Sequence, residues 1–425
     1  MKTDIQSLYD QHLATLESAI SVPSLRKKGI EIFNKLKLPD EKMENWKNFS
    51  LKEIYENDYK LELERKDINL SFFSGMDFGT SEDTLIFNNG LCSYENQLQK
   101  HKNGIVFGSM RAASIQYPDL INKFLNLANK NENGFTALNS ALFNDGLFVY
   151  VPSGVEARVP YSLIEKYIND SNKIVLLRNL IVIERNSRLF IHHNSSSETR
   201  DKSLGLNVSE IFIDENSSLE WNTLQEFSGH TTVLNFEMAI LKSNASIRRN
   251  IINLGSNNSR NELRVALTGT GAYADVNGAY ILKNEEKLEN RVFIDHGSAH
   301  CDSSQLFKGI IDNSASASFT GKILVRKDSQ QTNAFQSAKN ILLSEESKIN
   351  MNPFLEIYAD DVKCSHGASI GNIDPDALFY LMARGISEPD ARKILLRSFV
   401  LEILDKISDE EYRNYLSEKI IHNLN

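Results

Sequence analysis

Apolar residues in the first forty positions recur at the spacing of an amphipathic helix. The face that they form consists of Ile5, Leu8, Tyr9, His12, Leu13, Leu16 and Ile20. Pro23 interrupts this pattern, and a second stretch of the same kind, 25–38, stops before Pro39. Residues 1–79 are therefore predicted to form an N-terminal helical region.

From about residue 80 the pattern changes to short β-type segments separated by polar corners. A small residue recurs at these corners, with another apolar or small residue two positions later. The corner positions are Ser187, Ser217, Ala245, Ala272, Ala315 and Ser347, which are 30, 28, 27, 43 and 32 residues apart. A drifting period of this kind favours a solenoid of stacked β coils over residues 80–372. A β-sandwich or jelly roll also accounts for many short strands, but gives less reason for the corner to recur.

The helical pattern returns after residue 372. Asp374 and Pro375 form a helix start, and Ser387 with Asp390 resembles a capping box. Ser408 with Glu411 forms a second capping box. One helix face carries Ile394, Leu395, Phe399, Ile403, Leu404 and Ile407. Residues 373–425 are predicted to be a C-terminal helical domain, which either caps the last coil or presents an apolar surface to a partner.

The composition is that of a folded chain with room for two or three domains. Of 425 residues, 41% are hydrophobic and 24% charged, and the net charge is −9 without a basic run. A nucleic-acid partner is therefore not expected. The chain also shows neither the apolar core of a signal peptide nor the run of about 18 apolar residues that crosses a membrane. We expect a cytoplasmic protein without a membrane partner, whose Cys92, Cys301 and Cys364 are reduced thiols.

Motifs for nucleotide chemistry are missing from the sequence. Gly321-Lys322 is followed by Ile323 rather than the hydroxyl residue of a phosphate-binding loop. Any ATP hydrolysis that this protein serves is expected to come from another chain, and the protein itself is not expected to be an enzyme.

Sulfur and imidazole are the remaining candidate chemistry. His296, His300 and Cys301 fall within six residues, and Cys364 and His366 lie two positions apart. Residues i and i+2 of a strand share a face, so Cys364 and His366 can point towards one metal. No C-x-x-C pair completes a four-ligand set, and isolated residues of these types are more often structural.

The last third of the chain contains a long ordered set of motifs. In chain order they are TNAFQ at 332–336, NILLS at 340–344, PFLEI at 353–357, DVKCSHGASIG at 361–371 and LFYLMARGI at 378–386. This set closely resembles the SufB/SufD family of iron–sulfur cluster assembly scaffolds. SufB-like chains have a Gln-Cys-Asp-Ser element where this chain has Phe335-Gln336-Ser337, so the SufB cysteine is missing, and they have a glutamate where this chain has Gly367. The chain therefore most resembles the SufD branch.

The resemblance implies a mainly β fold, with a right-handed parallel β-helix core flanked by N-terminal and C-terminal helical domains. It also implies a scaffold that works with a SufB-like scaffold and a SufC-like ATPase. The ATPase would dock on the C-terminal helices, for which we select Phe399, Ile403, Ile394 and Leu395. His366 and Cys364 become candidate metal ligands for a transient Fe–S cluster shared with SufB. The family further implies no cofactor stably bound by the chain alone and a flavin in the assembled complex, although the sequence contains no flavin motif. An open β-helix surface would also permit a homodimer of the isolated chain.

Two other function classes remain open from the residues alone. One is a β-helix carbohydrate-active enzyme such as a lyase, although such enzymes are normally exported and carry acid/base residues on one sheet face. The other is a stand-alone metalloprotein that uses His296, His300, Cys301, Cys364 and His366. Metal binding by the chain alone, rather than only with partners, would favour the latter.

Overall fold

The strands of the computed structural model form two long sheets that face each other across a buried interior. The structure describes residues 1–63, 83–93, 97–168, 171–227 and 229–424. In chain order, the strands are β1 (Lys60–Leu61), β2 (Thr84–Asn88), β3 (Leu91–Cys92), β4 (Leu98–Lys100), β5 (Val106–Ser109), β6 (Leu147–Val151), β7 (Tyr161–Tyr167), β8 (Lys173–Ile183), β9 (Arg188–Ser197), β10 (Ser203–Ile213), β11 (Ser218–Glu226), β12 (Thr231–Leu241), β13 (Ser246–Asn253), β14 (Asn258–Leu267), β15 (Tyr273–Leu282), β16 (Lys287–His296), β17 (Asp302–Ile311), β18 (Ser316–Val325), β19 (Thr332–Leu342), β20 (Lys348–Ile357) and β21 (Val362–Gly371).

From β8 onward the chain alternates between the two sheets. The even-numbered strands β8 to β20 belong to one sheet, called sheet A here, and the odd-numbered strands β9 to β21 belong to the other, sheet B. Each of these strands pairs in parallel with the strand two positions along the chain. The result is a parallel solenoid of about seven coils, which confirms the mainly β, β-helix prediction and excludes the sandwich.

Asparagines make the recurring corner of the solenoid. Asn186, Asn216 and Asn244 have φ values of 55°, 58° and 55°, in the left-handed region that asparagine tolerates better than most residues. The amide of Asn216 donates to Asn186 at 3.1 Å, and that of Asn244 donates to Asn216 at 3.0 Å. The next residue in each coil is the buried Ser or Ala of the sequence repeat.

In the described part of the chain, six helices precede or interrupt the first coils. They are α1 (Ile5–Ala19), α2 (Pro23–Leu36), α3 (Lys52–Glu56), α4 (Met110–Gln116), α5 (Pro118–Phe124) and α6 (Gly134–Leu142). Apolar side chains from this group pack on the outer face of sheet A. The last three helices lie in the range 80–372, for which the sequence analysis predicts coils only. Every residue of α6 is buried, and its short polar face, Thr136, Asn139 and Ser140, hydrogen-bonds within the protein. The predicted limit at residue 79 lies outside the described residues.

Three C-terminal helices follow the last strand: α7 (Pro375–Ala383), α8 (Glu388–Leu404) and α9 (Glu410–Leu424). Val400, Ile403 and Leu416 belong to one apolar cluster with Ile252 and Ile281 of sheet B. Helices α8 and α9 therefore turn back and cover the outer side of sheet B, and do not cap the last coil. None of the described helices has the length and apolar character needed to cross a membrane.

The caps of these helices agree only in part with the sequence prediction. Ser387 caps α8, since its hydroxyl accepts from the backbone N–H of Asp390 at 3.4 Å. The predicted cap by Ser408 is wrong. The Ser408 hydroxyl instead donates to Glu220 of β11, and the N–H of Tyr412 donates to Asp409 at 2.9 Å. A carboxylate on the solenoid thus competes for the hydroxyl.

Candidate functional site

Cys364 and His366 lie on β21, the last strand of the solenoid. They pair in register with Ala334 and Gln336 of β19, both buried in the interior. Because side chains alternate along a strand, Cys364 and His366 share the inner side of the sheet. The predicted common face is therefore present.

The two side chains differ in exposure. Cys364 is half-buried in an apolar cluster with Ile323, Val325 and Ala334. Burial raises the pKa of the Cys364 thiol, and this opposes the thiolate form that binds metals. His366 is exposed. The imidazole is thus the more accessible donor of the pair.

The exposure of His366 follows from an uncovered end of the solenoid. A Cβ added at Gly367 or Gly371 would meet nothing within 4 Å. Large apolar side chains at or near this end are Phe335, Phe354, Ile357, Tyr358 and Ile370, which are between 39% and 64% exposed. We call His366 and these five residues the open end. Among the described strands, none pairs with the outer edge of β20 or of β21, and such edges pair readily with another chain.

The other predicted ligands do not join this site. His296 is fully buried, and its Nε2 lies 2.9 Å from the Ser303 hydroxyl. Burial lowers the pKa of His296 to about 4 and raises the pKa of the Cys301 thiol. His300 occupies a corner with a φ of 58°. Across the described residues, no group of three or more His, Cys, Asp or Glu side chains is placed to hold a metal ion.

The four residues selected for docking are unequally accessible. Ile403 is fully buried against sheet B, so its side chain is not available to a partner in this structure. Phe399 is half-buried, and the Lys308 ammonium lies 4.7 Å above its ring and donates to its carbonyl at 2.8 Å. Leu395 is half-buried, whereas Ile394 is 42% exposed. The apolar face of α8 that the sequence reveals is mainly the face that binds the solenoid.

A different apolar surface is exposed on the preceding helix. Phe379, Tyr380 and Met382 of α7 are 72%, 57% and 42% exposed, and no residue of α7 is buried. We call these three side chains, together with Ile394 of α8, the α7 patch. In the sequence this patch is marked by a nearly unbroken apolar run in a short helix, which has no amphipathic periodicity.

Comparison with known proteins identifies the family to which this chain belongs. Residues 166–399 match the model for the SufBD core domain of SUF-system FeS cluster assembly, and residues 1–163 match the SufBD protein N-terminal region. The chain belongs to the SufBD family. The boundary between the two matched regions, at 163–166, lies well after residue 79, where the sequence analysis ends the N-terminal helical region.

Several relatives carry names from iron–sulfur cluster assembly. A SufBD family protein of Synechocystis is 28% identical over 95% of this chain and 91% of its own length. The SufD protein of Bacillus subtilis is 28% identical over 74% of this chain and 72% of its own length. The SufD protein of Escherichia coli is 31% identical over 47% of this chain and 46% of its own length. The predicted likeness to SufD is thus confirmed.

Proposed function

We propose that this chain is a non-enzymatic, SufD-like scaffold that supports iron–sulfur cluster formation in a complex with a SufB-like scaffold and a SufC-like ATPase. The observation that supports this most directly is the open end, where the exposed imidazole of His366 lies on the last coil, and no described strand pairs with the outer edge of that coil. Iron and sulfide are here the substrates of assembly rather than resident cofactors.

The open end is the proposed contact for the SufB-like partner. Phe354, Tyr358 and Ile370 supply apolar surface, and β20 and β21 offer backbone groups along their free edges. Burial of such surface stabilises an association, and edge strands add directional hydrogen bonds. In the absence of that partner, a second copy of this chain would bind to the same end and form a homodimer.

His366 is the proposed contribution of this chain to the nascent cluster. A neutral imidazole donates a nitrogen lone pair to iron, which suits a ligand that holds iron only transiently. Cys364 ranks second, because burial keeps its thiol protonated. The remaining ligands would come from the SufB-like partner.

The α7 patch is the proposed docking surface for the ATPase. Its side chains are exposed, whereas Ile403 and much of Phe399 are covered by the solenoid. This assignment keeps the predicted C-terminal domain as the docking region but moves the contact to α7. A cytoplasmic setting suits such a complex. A flavin in the assembled complex remains part of the family expectation, and we assign it to no residue of this chain.

The proposal is tested with this chain, a SufB-like chain and a SufC-like chain purified together. We expect His366→Ala to lower the iron and acid-labile sulfide of the reconstituted complex severalfold. Subunit association and ATP hydrolysis should persist, because removal of an exposed imidazole opens no core cavity. Lys363→Ala, at an exposed neighbouring position of β21, is the matched control. Normal cluster content with His366→Ala would refute the ligand role, and failure of the chains to associate would refute the scaffold role.

A further inference from the structure

Two buried amides lie in line behind His366. Gln305 of β17, Gln336 of β19 and His366 of β21 are consecutive register partners in sheet B. Neighbouring strands are about 4.8 Å apart, so side chains at such positions stack directly on each other. The column therefore leads from the interior to the open end.

The amides in this column have unmet hydrogen-bonding capacity. Gln305 and Gln336 are 1% and 3% exposed. Within the described part of the chain, neither the oxygen nor the nitrogen of either amide has a hydrogen-bond partner. A buried polar group without a partner is costly, and such groups in folded proteins are nearly always bonded. These amides therefore point to a partner that they meet in the working protein.

The opposite wall is shaped to receive the two amides. A Cβ at Gly321 of β18 would lie 1.8 Å from Nε2 of Gln336 and 3.0 Å from Oε1 of Gln305. Both side chains thus extend across the interior to a position that only glycine leaves free. Gly321 is paired with Pro353 in the last coil, and Pro353 has no N–H to offer an amide.

The residues on either side in the column indicate which group can be the hydrogen-bond partner of the Gln336 amide. Gln305 has Val276 on its other side, so its only polar neighbour in the column is Gln336. Gln336 has Gln305 on one side and the imidazole of His366 on the other. His366 is the polar group at the end of the column, and its two ring nitrogens are distinct.

We propose that Gln336 is a positioning residue for His366, a role that rests on the proposed function of that histidine. Both amide atoms of Gln336 are unpartnered among the described residues, so the proposed contact forms when the amide turns and its oxygen accepts a hydrogen bond from one ring N–H of His366. The lone pair of the other ring nitrogen is thereby fixed towards the open end, where iron is to be bound. A hydrogen bond to the second nitrogen is a common means of orienting a histidine ligand in metal sites. Gly321 provides the space in which the amide sits.

The test uses the full-length chain alone, with nitrogen-15 in its histidines. Long-range proton–nitrogen NMR spectra at a pH where the imidazole is neutral report the ratio of its two tautomers, and His366→Asn assigns the signal. A neutral histidine without such a bond already prefers one tautomer, so the hydrogen bond is read as a change in the tautomer ratio. We expect the ratio in the native chain to differ by about fivefold from that in Gln336→Met, which is similar in shape but has no acceptor, the effect of one ordinary hydrogen bond. Gln336→Glu, which keeps an acceptor oxygen, should keep the native ratio.

Gln305→Met is the matched control, because it removes the same buried amide one strand further from His366. Its tautomer ratio should equal that of the native chain. Gln336→Asn, with an amide too short to reach, should shift the tautomer ratio in the same way, and it serves if Gln336→Met does not fold. A native ratio in Gln336→Met and Gln336→Asn, or an equal shift in Gln305→Met, would overturn the proposal. Because this readout needs no cluster, it remains decisive even if His366→Ala assembles clusters normally.

Discussion

The imidazole of His192 lies flat against the phenol ring of Tyr412, with ring centroids 3.9 Å apart and planes 6° apart. His192 is on β9 and Tyr412 is on α9, so this stack joins the C-terminal helices to the first coils of the solenoid. The Tyr412 hydroxyl donates to Asn194 at 3.0 Å, and Nε2 of His192 lies 3.4 Å from a carboxylate oxygen of Asp409. The last two helices, α8 and α9, thus pack on the side of sheet B, and they leave the end of the last coil uncovered.

Tyr412→Ala should loosen this attachment. Tyr412 is fully buried, and its removal leaves a cavity, an orphaned Asn194 amide and an unstacked His192. Loss of a buried aromatic side chain typically costs about 3–5 kcal/mol. We expect urea unfolding to show this loss, with faster hydrogen exchange in α9. Tyr380→Ala, at a tyrosine that is 57% exposed, should change the free energy of unfolding by less than about 0.5 kcal/mol. Equal effects of the two substitutions would contradict the attachment.

Buried His296 should make the fold sensitive to mild acid. Burial lowers the pKa of His296 to about 4, while its ordinary value is 6.5. Between pH 6.5 and about pH 4, the unfolded chain therefore binds a proton at His296 and the folded chain does not. The free energy of unfolding thus falls as the pH falls through this range. The charges of Asp295 and Asp302 oppose burial only in part. Over this window the contribution amounts to roughly 3 kcal/mol.

His296→Gln should flatten this part of the pH profile. Glutamine keeps a polar group beside Ser303 but takes up no proton in the window. Urea midpoints measured at pH 7 and pH 5 should thus differ less in the variant than in the native chain. His422→Gln, at an exposed histidine of α9, should leave the pH dependence as it is. A native profile that is flat between these pH values would count against the buried neutral form.

Arg26 should be among the most sensitive positions of the N-terminal region. Its fully buried guanidinium donates to the carbonyls of Leu16, Ile20, Ala141 and Phe143 at 2.8–3.2 Å. These carbonyls lie at the ends of α1 and α6, where helices leave acceptors unpaired. Arg26→Met should cost about 3–5 kcal/mol in chemical unfolding, by analogy with broken buried charge networks. Lys27→Met, exposed at the next position, should be nearly neutral, and a similar loss there would refute this account.

The solenoid was predictable because each corner requires a small buried residue, and such residues recur in the sequence. The buried Ser187, Ser217 and Ala245 repeat near one period, and this was enough to indicate coils. The asparagines before them adopt the left-handed turn, and their repetition is a second sequence signal of the same corner. Helix α6 carries only a short helical signal, because its nine residues place three polar side chains, Thr136, Asn139 and Ser140, on one face.

The candidate site was predictable only in its residue types and its strand. The alternation rule places Cys364 and His366 on one face, but their different exposure depends on which coil is the last. Likewise, Gln336 is an ordinary strand residue in the sequence, and only the register with His366 and the glycine across the interior reveals its position. For α8, periodicity identifies an apolar face but cannot say whether the solenoid or a partner covers it.

Phe379→Asp provides the last prediction, on the docking of the ATPase. Phe379 is 72% exposed on α7, so a charge there should leave the free energy of unfolding nearly unchanged. In an apolar interface, however, the same carboxylate would be buried without a partner, and this should weaken the association at least tenfold. Binding of the SufC-like chain is measured by titration calorimetry, together with pull-down of the SufB-like chain, which should persist.

Two further substitutions decide between docking and packing. Ile115→Asp changes a residue of α4 that is also 72% exposed, and it should leave ATPase binding intact. Phe399→Asp places a charge beneath the α8 helix, where the Phe399 ring lies against Lys308 and sheet B. It should lower the stability of the C-terminal helices before it affects binding. If Phe379→Asp binds the ATPase normally while a folded Phe399→Asp does not, the contact lies on α8, as the sequence alone suggests. The reverse result places it on the α7 patch.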